Sequence, residues 1–227
     1  ERLPGVRTHP VAWEIFEPVA SRYEGWYGSD QGRRVDRAER ALLDWMLAHL
    51  PGTKTVLEVG CGTGHFSRYL ASQSLWVVGA DRSPAMLASL RKGHSRIIGV
   101  QADAHNLPFR DRSVDAALFV TSLEFLDEPR RALAEAARVS RRGIMLVVLN
   151  RRSLGGISRR IGPQASQTIP GRAQDYSLSS LRTVVRDAGL TRLRDLHWRY
   201  GCYPRYLWST PSWLPAGDVI ALAVVLA

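Results

Sequence analysis

The sequence predicts an α/β domain: a doubly wound, seven-stranded sheet, mostly parallel and finished by an antiparallel C-terminal edge hairpin. Three observations predict it. Short apolar runs alternate with helical stretches from Thr55 to Leu149, the pattern of parallel strands joined by crossover helices. The runs are apolar throughout, as expected of strands covered on both faces. Two last apolar stretches, Leu193 to Tyr200 and Val219 to Leu226, flank an aromatic and proline-rich segment, 201–215, which suits an edge hairpin.

Residues 1–34 carry aromatics and charges without a clean period. From Val35 to Leu50 the sequence predicts a helix, with Ala38, Ala41, Leu42, Trp45, Met46 and Leu50 at three- and four-residue steps and Pro51-Gly52 ending it. Strand one is Thr55 to Val59, and a glycine-rich turn leads to a helix from His65. Leu75 to Ala80 is strand two, closed by Asp81, and Ser83-Pro84 opens the next helix, serine capping and proline at the first position. Ile97 to Ala102 is strand three and Val114 to Thr121 strand four. A helix follows over Pro129 to Ser140, and Gly143 opens strand five, Ile144 to Leu149. Residues 151–176, rich in Arg, Ser, Gly and Pro, read as a long insertion of the kind that carries function. Ser177 caps a helix that Gly189 stops. The whole is expected to be one domain over 1–227, with an N-terminal lid and helix over 1–50.

Composition narrows the function classes. At 227 residues, 45% hydrophobic and 23% charged, the chain has the make-up of a globular protein with a sizeable core. The formal charge of +10 invites a polyanion partner. Yet Lys54 and Lys92 are the only lysines, and the arginines are spread in pairs such as Arg33-Arg34 and Arg159-Arg160. That spread favours a coding bias toward arginine over a dedicated nucleic-acid surface. Cys61 and Cys202 are too few for a disulfide framework or a thiolate metal site, and no metal is expected. The first thirty residues are mixed and charged, unlike a secretory leader. The longest apolar run, Val219 to Ala227, is far below the roughly 20 residues that span a bilayer. A cytoplasmic location is expected. The chain ends on a predicted strand, so its C-terminus is expected to be shortened.

The chemistry lies in Thr55-Val56-Leu57-Glu58-Val59-Gly60-Cys61-Gly62-Thr63-Gly64. A strand, a glycine turn and a helix start bring backbone N–H groups against a ligand, because glycine leaves no Cβ in the way. The order Glu-x-Gly-x-Gly-x-Gly differs from the G-x-G-x-x-G of dinucleotide dehydrogenases. It resembles motif I of the class I S-adenosylmethionine (SAM) dependent methyltransferases, within them the methyltransferase type 11 group that includes quinone-biosynthesis C-methyltransferases. Three further places carry the resemblance: Val77 to Leu87 with its acidic strand end, Asp103-Ala104-His105-Asn106-Leu107-Pro108-Phe109, and Ser113-Val114-Asp115 leading to Thr121, then Glu135 to Gly143.

The resemblance implies a Rossmann-like fold, SAM as cofactor and methyl transfer as the reaction. It implies that Gly60, Cys61, Gly62 and Gly64 approach the amino acid end and ribose, and that Asp81, with Arg82 beside it, takes the ribose hydroxyls. Asp103 would accept from the adenine amino group, with the backbone of Ala104 beside the ring. Met86 packs on the adenine face or belongs only to the core. Glu58 orients the glycine loop or the cofactor ammonium, or is a buried acid bonded to loop backbone. Thr121 faces the methionine part. Among the aromatics Tyr23, Trp26 and Tyr27, one such as Tyr23 would cover the sulfonium by cation–π contact, and Arg33 would pair with the cofactor carboxylate; structural packing is the alternative for each.

No catalytic base is assigned: His65, His105, His197 and Glu124 lack a second motif residue in support. The expected partner is a small-molecule acceptor shaped by 1–34 and 151–176, in a monomer or a homodimer. The alternatives are an RNA or protein acceptor, and a SAM-binding protein without turnover.

Overall fold

The structure, a computed structural model, describes residues 12–90, 95–155, 157, 173–203 and 213–227. Residues 1–11 of the expected lid, most of the insertion over 151–176 and residues 204–212 lie outside the described residues.

Strands β1 (Thr55–Val59), β2 (Trp76–Asp81), β3 (Ile97–Gln101), β4 (Val114–Val120), β5 (Ser140–Leu149), β6 (Leu193–Gly201) and β7 (Val219–Leu226) form one seven-stranded sheet in the order β3-β2-β1-β4-β5-β7-β6. The pairs among β1 to β5 are parallel, while β7 runs antiparallel to both β5 and β6. The expected hairpin is present. Its second strand turns inward to pair with β5, and the more polar β6, with Arg194, Asp195 and Arg199, takes the edge. Charged residues on an edge oppose pairing with another chain.

Helices α1 (Asp30–Ala48), α2 (His65–Ser72), α3 (Pro84–Leu90), α4 (Pro129–Val139) and α5 (Leu178–Asp187) connect and cover the strands. Alternate residues of the central strands feed two cores. Ala117, Phe119, Ile144 and Leu146 pack with Leu133 and Ala136 of α4 and Leu181 of α5. Ala116, Leu118, Met145 and Val147 pack with Leu42 and Met46 of α1 and Leu70 of α2. Every residue of β4 is buried, which is why the sequence there is apolar without alternation.

The starts of α1 and β5 differ from the sequence reading. Helix α1 starts at Asp30 rather than Val35, because the Ser29 hydroxyl accepts from Gly32 N at 3.0 Å and caps an earlier turn. Ahead of it, Ala12–Val19 and Tyr23–Gly28 are short 3-10 helices. Strand β5 begins at Ser140, directly after α4, so Arg141 and Arg142 belong to it. The capping of α5 is as expected: the Ser177 side chain accepts from Ser180 N and the Ser180 side chain accepts from Ser177 N.

The amino ends of β1 and β4 are locked by Asp115. Its Oδ2 accepts from Lys54 N at 2.9 Å, Thr55 N at 3.0 Å and Thr55 Oγ1 at 3.0 Å. Burial alone would raise the Asp115 pKa; those amides, the Thr55 hydroxyl and Arg141 outweigh it and hold the carboxyl below its ordinary value. Asp115→Ala strands these donors, so a denaturant melt should read a loss of about 2–3 kcal/mol. Since the folded pKa is depressed, the contribution of Asp115 is complete above its unfolded value near pH 4 and lost as pH falls through the lower folded value. The wild-type advantage over Asp115→Ala should therefore shrink below about pH 4. A difference that is constant with pH would show that Asp115 acts by shape alone.

Candidate functional site

The strand order reverses between β1 and β4, since β2 and β3 lie on one side of β1 and β5 on the other side of β4. At such a point loops from neighbouring strands diverge and leave a crevice above their carboxyl ends. Here β1 runs into Gly60 (φ +73°), Cys61, Gly62 (φ +53°), Thr63 and Gly64 (φ +85°), and Gly64 is the cap of α2. Gly60 N and Cys61 N donate to Ala80 O at 2.7 and 3.1 Å. Asp81 completes the tie: Oδ2 accepts from Gly62 N at 2.7 Å and Oδ1 from Ser83 N at 2.9 Å. A carboxylate oxygen has two lone pairs, so each keeps room for a further donor.

Two glycines differ in purpose. A Cβ on Gly60 would lie 2.5 Å from Ser122 Cβ, whose Oγ donates to Val59 O, so loop and β4 touch backbone to side chain there. A Cβ on Gly62 would meet only Met86 Sδ, at 3.8 Å. Gly62 opens onto a cavity whose empty space, part of it continuous with solvent, is about 880 Å³.

The cavity brings together residues from four strand ends. Gly60 and Gly62 come from β1, Asp81, Arg82 and Met86 from β2 and α3, Asp103 and Ala104 from the loop after β3, and Thr121 from the end of β4. Thr121 has φ +45°, a left-handed conformation that costs a β-branched residue energy and marks a constrained site. Tyr23 reaches in from the second 3-10 helix. Phe16, Ser122 and Phe125 also line it, and sequence reading missed them. Phe16 lies in a stretch without period, while Phe125 follows Thr121 by one turn and was legible as a strand-end aromatic.

Other expected site residues stand outside the lining. Glu58 is 2% exposed, behind the loop, and accepts from Ser67 Oγ of α2. The Cys61 side chain packs with Leu87 and Leu90, and Gly64 faces Leu90. Arg33 is directed to solvent; it pairs with Asp30 and donates to Gly28 O, so it is not brought to the cavity. Trp26 is exposed and Tyr27 stacks on His65, with ring centroids 3.7 Å apart.

Asp103 is already engaged. Its Oδ1 accepts from His105 N at 2.9 Å and lies 2.7 Å from His105 Nδ1, and its Oδ2 is 3.3 Å from Arg82. Because His105 Nε2 accepts from Glu128 N at 3.3 Å, the ring proton is assigned to Nδ1. Burial would raise the Asp103 pKa, but these bonds and the Arg82 charge bring it below its ordinary value. The deeper acids behave oppositely. Burial pushes Glu58 up to about 8, against the pull of Ser67, and pushes Glu39 up to about 8 with Asp36 and Glu124 adding to it. Tyr23 is pushed up to about 12 by burial and by Glu39, Asp81, Glu124 and Glu58.

A carboxyl whose folded pKa is raised contributes fully below its unfolded value near 4.3 and costs stability as pH rises toward the folded value. Glu39→Gln removes that cost. The variant's stability relative to wild type should therefore grow between pH 5 and pH 8, by up to about 1.4 kcal/mol per pH unit. Denaturant melts at several pH values measure it; a difference that does not change with pH would show that Glu39 keeps one protonation state throughout.

Similarity to known proteins points the same way. Residues 57–148 match a family described as a methyltransferase domain. The malonyl-[acyl-carrier protein] O-methyltransferase of Pectobacterium atrosepticum is 36% identical over 112 residues, 48% of this chain and 44% of that one. The demethylmenaquinone methyltransferase of Renibacterium salmoninarum is 36% identical over 134 residues, 59% of this chain and 56% of that one. The chain thus spans about half the length of these relatives. A crystal structure from Thermotoga maritima, described as a SAM-dependent methyltransferase and possible histamine N-methyltransferase, superposes with a TM-score of 0.76 at 25% identity, covering 95% of this chain and all of that one. No described helix is long and apolar enough to cross a membrane. The chain's glycine turn, its acidic strand ends and its fold are thus similar to those of SAM-dependent methyltransferases, with the methyltransferase-domain match confined to residues 57–148.

Proposed function

We propose that this chain moves a methyl group from SAM to a small-molecule acceptor. The observation that carries the proposal is the cavity itself: one space reached by the glycine turn, Asp81, Asp103 and Thr121 from four strand ends, with Gly62 opening onto it. Bound SAM supplies an activated electrophile, so the hard part of the chemistry is the cofactor's.

The chain's residues bind and align. Asp81 takes the ribose hydroxyls with the lone pairs its backbone bonds leave free, and Arg82 flanks it. Asp103 accepts from the adenine amino group, Ala104 offers its backbone beside the ring, and Met86 packs on the ring face. The N–H groups of the Gly60–Gly64 turn face the amino acid end, and Thr121 the methionine chain. Glu58, fastened to α2 through Ser67, holds the turn in place from behind. Tyr23 covers the sulfonium by cation–π contact and excludes water. Orienting the acceptor against a fixed cofactor is worth roughly 7–11 kcal/mol of barrier, and the proposal needs no base.

A small acceptor group is supported by the names of the relatives, which act on malonyl-[acyl-carrier protein] and on demethylmenaquinone, and by a roof of aromatic side chains over the cavity. The described part of the N-terminal segment, Ala12–Ala48, serves as lid and helix. Cytoplasmic action fits two free, buried cysteines.

Calorimetry should show SAM and its demethylated product binding near micromolar, at about −8 kcal/mol; no binding at millimolar ligand would overturn the reading. Asp81→Ala should weaken SAM at least about tenfold, since a hydrogen bond to a charged group is worth about 1.5–3 kcal/mol. An unchanged affinity would leave Asp81 with only its tie between Gly62 and Ser83.

A further inference from the structure

Asp103, Ala104 and His105 line the cavity from consecutive positions of the loop after β3, and Arg82 lines it beside them. Two donors from one residue meet at Asp103 Oδ1: His105 N at 2.9 Å and His105 Nδ1 at 2.7 Å. The other oxygen, Oδ2, lies 3.3 Å from Arg82. A carboxylate oxygen has two lone pairs, so His105 fills Oδ1 and leaves Oδ2 with room for a further donor.

The two bonds from His105 have different origins. The one from its backbone N closes a local turn, which any residue except proline would close at that position. The one from Nδ1 belongs to the imidazole alone. The ring is tucked under the carboxylate it holds, since the His105 side chain is 14% exposed and that of Asp103 38%. On its far side, Nε2 accepts from Glu128 N at 3.3 Å, and Glu128 is the residue that caps α4. A ring nitrogen that accepts carries no proton, which places the proton on Nδ1, facing Asp103. His105 is therefore a strut between the loop after β3 and the start of α4. Both its ring nitrogens are engaged, which removes it from the candidates for a base.

Burial would raise the Asp103 pKa, but the bonds from His105 and the Arg82 charge outweigh it and hold the carboxyl below its ordinary value. At neutral pH Asp103 is thus an acceptor with no proton to give.

We propose that His105 is the positioning residue that makes this cavity select an adenine ring: it holds Asp103 so that Oδ2 accepts from the exocyclic amino group of the cofactor. An amino group donates to that oxygen. The oxo group of an inosine ring would set lone pairs against lone pairs and leave the carboxylate without its donor. Without the imidazole, Asp103 keeps the backbone bond, and a carboxylate held at one point swings onto Arg82 and away from the base. This inference rests on the SAM reading and deepens it by naming what selects the base.

The test uses the full chain and two probes, S-adenosylhomocysteine and S-inosylhomocysteine, measured by calorimetry. If neither binds, the SAM reading itself falls. If both bind equally to the wild type, the SAM reading stands and the proposal is overturned. The expected result is a preference for the adenosyl ligand of at least about tenfold, the ratio given by one hydrogen bond to a charged group. His105→Ala should bring the two ligands within about threefold of each other, by weakening the adenosyl one. His105→Asn, whose amide nitrogen takes the place of Nδ1, should restore a preference of about tenfold. A preference left intact in His105→Ala overturns the proposal, and so does an equal loss of both ligands, which would mean a damaged loop. An Asn variant that behaves like the Ala variant overturns the role of the Nδ1 donor. Asp103→Asn, of the same shape as the wild type, keeps the idea exposed should His105→Ala fail to fold. With its amide oxygen held by His105 it turns a donor to the base, so the inosyl ligand should draw level or lead, and a preserved adenosyl preference overturns the proposal.

Discussion

Two backbone N–H groups, from Gly62 and Ser83, converge on the two oxygens of Asp81, and the site depends on that convergence. The turn after β1 has glycine at every second position and left-handed φ at each of them, so the chain there has little intrinsic preference. What selects one conformation is the carboxylate at the next strand end, together with Ala80 O, which accepts from Gly60 and Cys61. Strand β2 thus shapes the loop of strand β1. A ligand bound by Asp81 is thereby bound against the loop that Asp81 has shaped, which gives the cavity a preset form rather than one assembled on binding.

Acids surround this space, and they divide by depth. Asp103, at the rim, is paired with His105 and Arg82, and Asp36, outside the lining, with Arg40 and His65. Those below the rim, Glu39 and Glu58, are pushed toward neutrality by burial. The protein bears +10 formal charge, yet the wall of its cavity is acidic. Arginine is spent elsewhere: Arg138 bonds Glu135, Asp111 and two carbonyls, and Arg192 bonds the carbonyls of Ala137 and Ser140. Net charge therefore describes this protein's outer surface and says little of its ligand, which local charge governs.

The sheet was legible because buried parallel strands admit few residue types. Val114 to Val120 has no face free for polar residues except at Asp115, which is held by Lys54 and Thr55, so its composition announces its burial. The glycine turn was legible for the converse reason, that no other residue fits its dihedrals. The strand-end acids Asp81 and Asp103 were legible by position, and both line the cavity. Side-chain direction was not. Cys61 sits between two lining glycines yet points into the Leu87–Leu90 cluster, and Arg33 was given a role that its exposed pairing with Asp30 leaves to others. Nor did sequence order reveal that β7 inserts between β5 and β6, since both strands are possible partners for β5 and only the relative polarity of β6 decides.

The N-terminal segment shows how a stretch without periodicity becomes part of a site. Tyr27 stacks on His65, His65 bonds Asp36, and Arg68 pairs with Glu24 while also donating to Thr63 O. Each contact joins the second 3-10 helix, or the helix after it, to the start of α2, so the segment is clamped to the glycine turn itself. Tyr23, four residues before Tyr27, is carried over the cavity by that clamp, and Phe16 is carried with it through ring contacts to Tyr23 and Phe125. Glu39 on the buried face of α1 and Asp81 at the end of β2 both add to the burial that raises the pKa of Tyr23, so this roof residue senses acids of two separate elements.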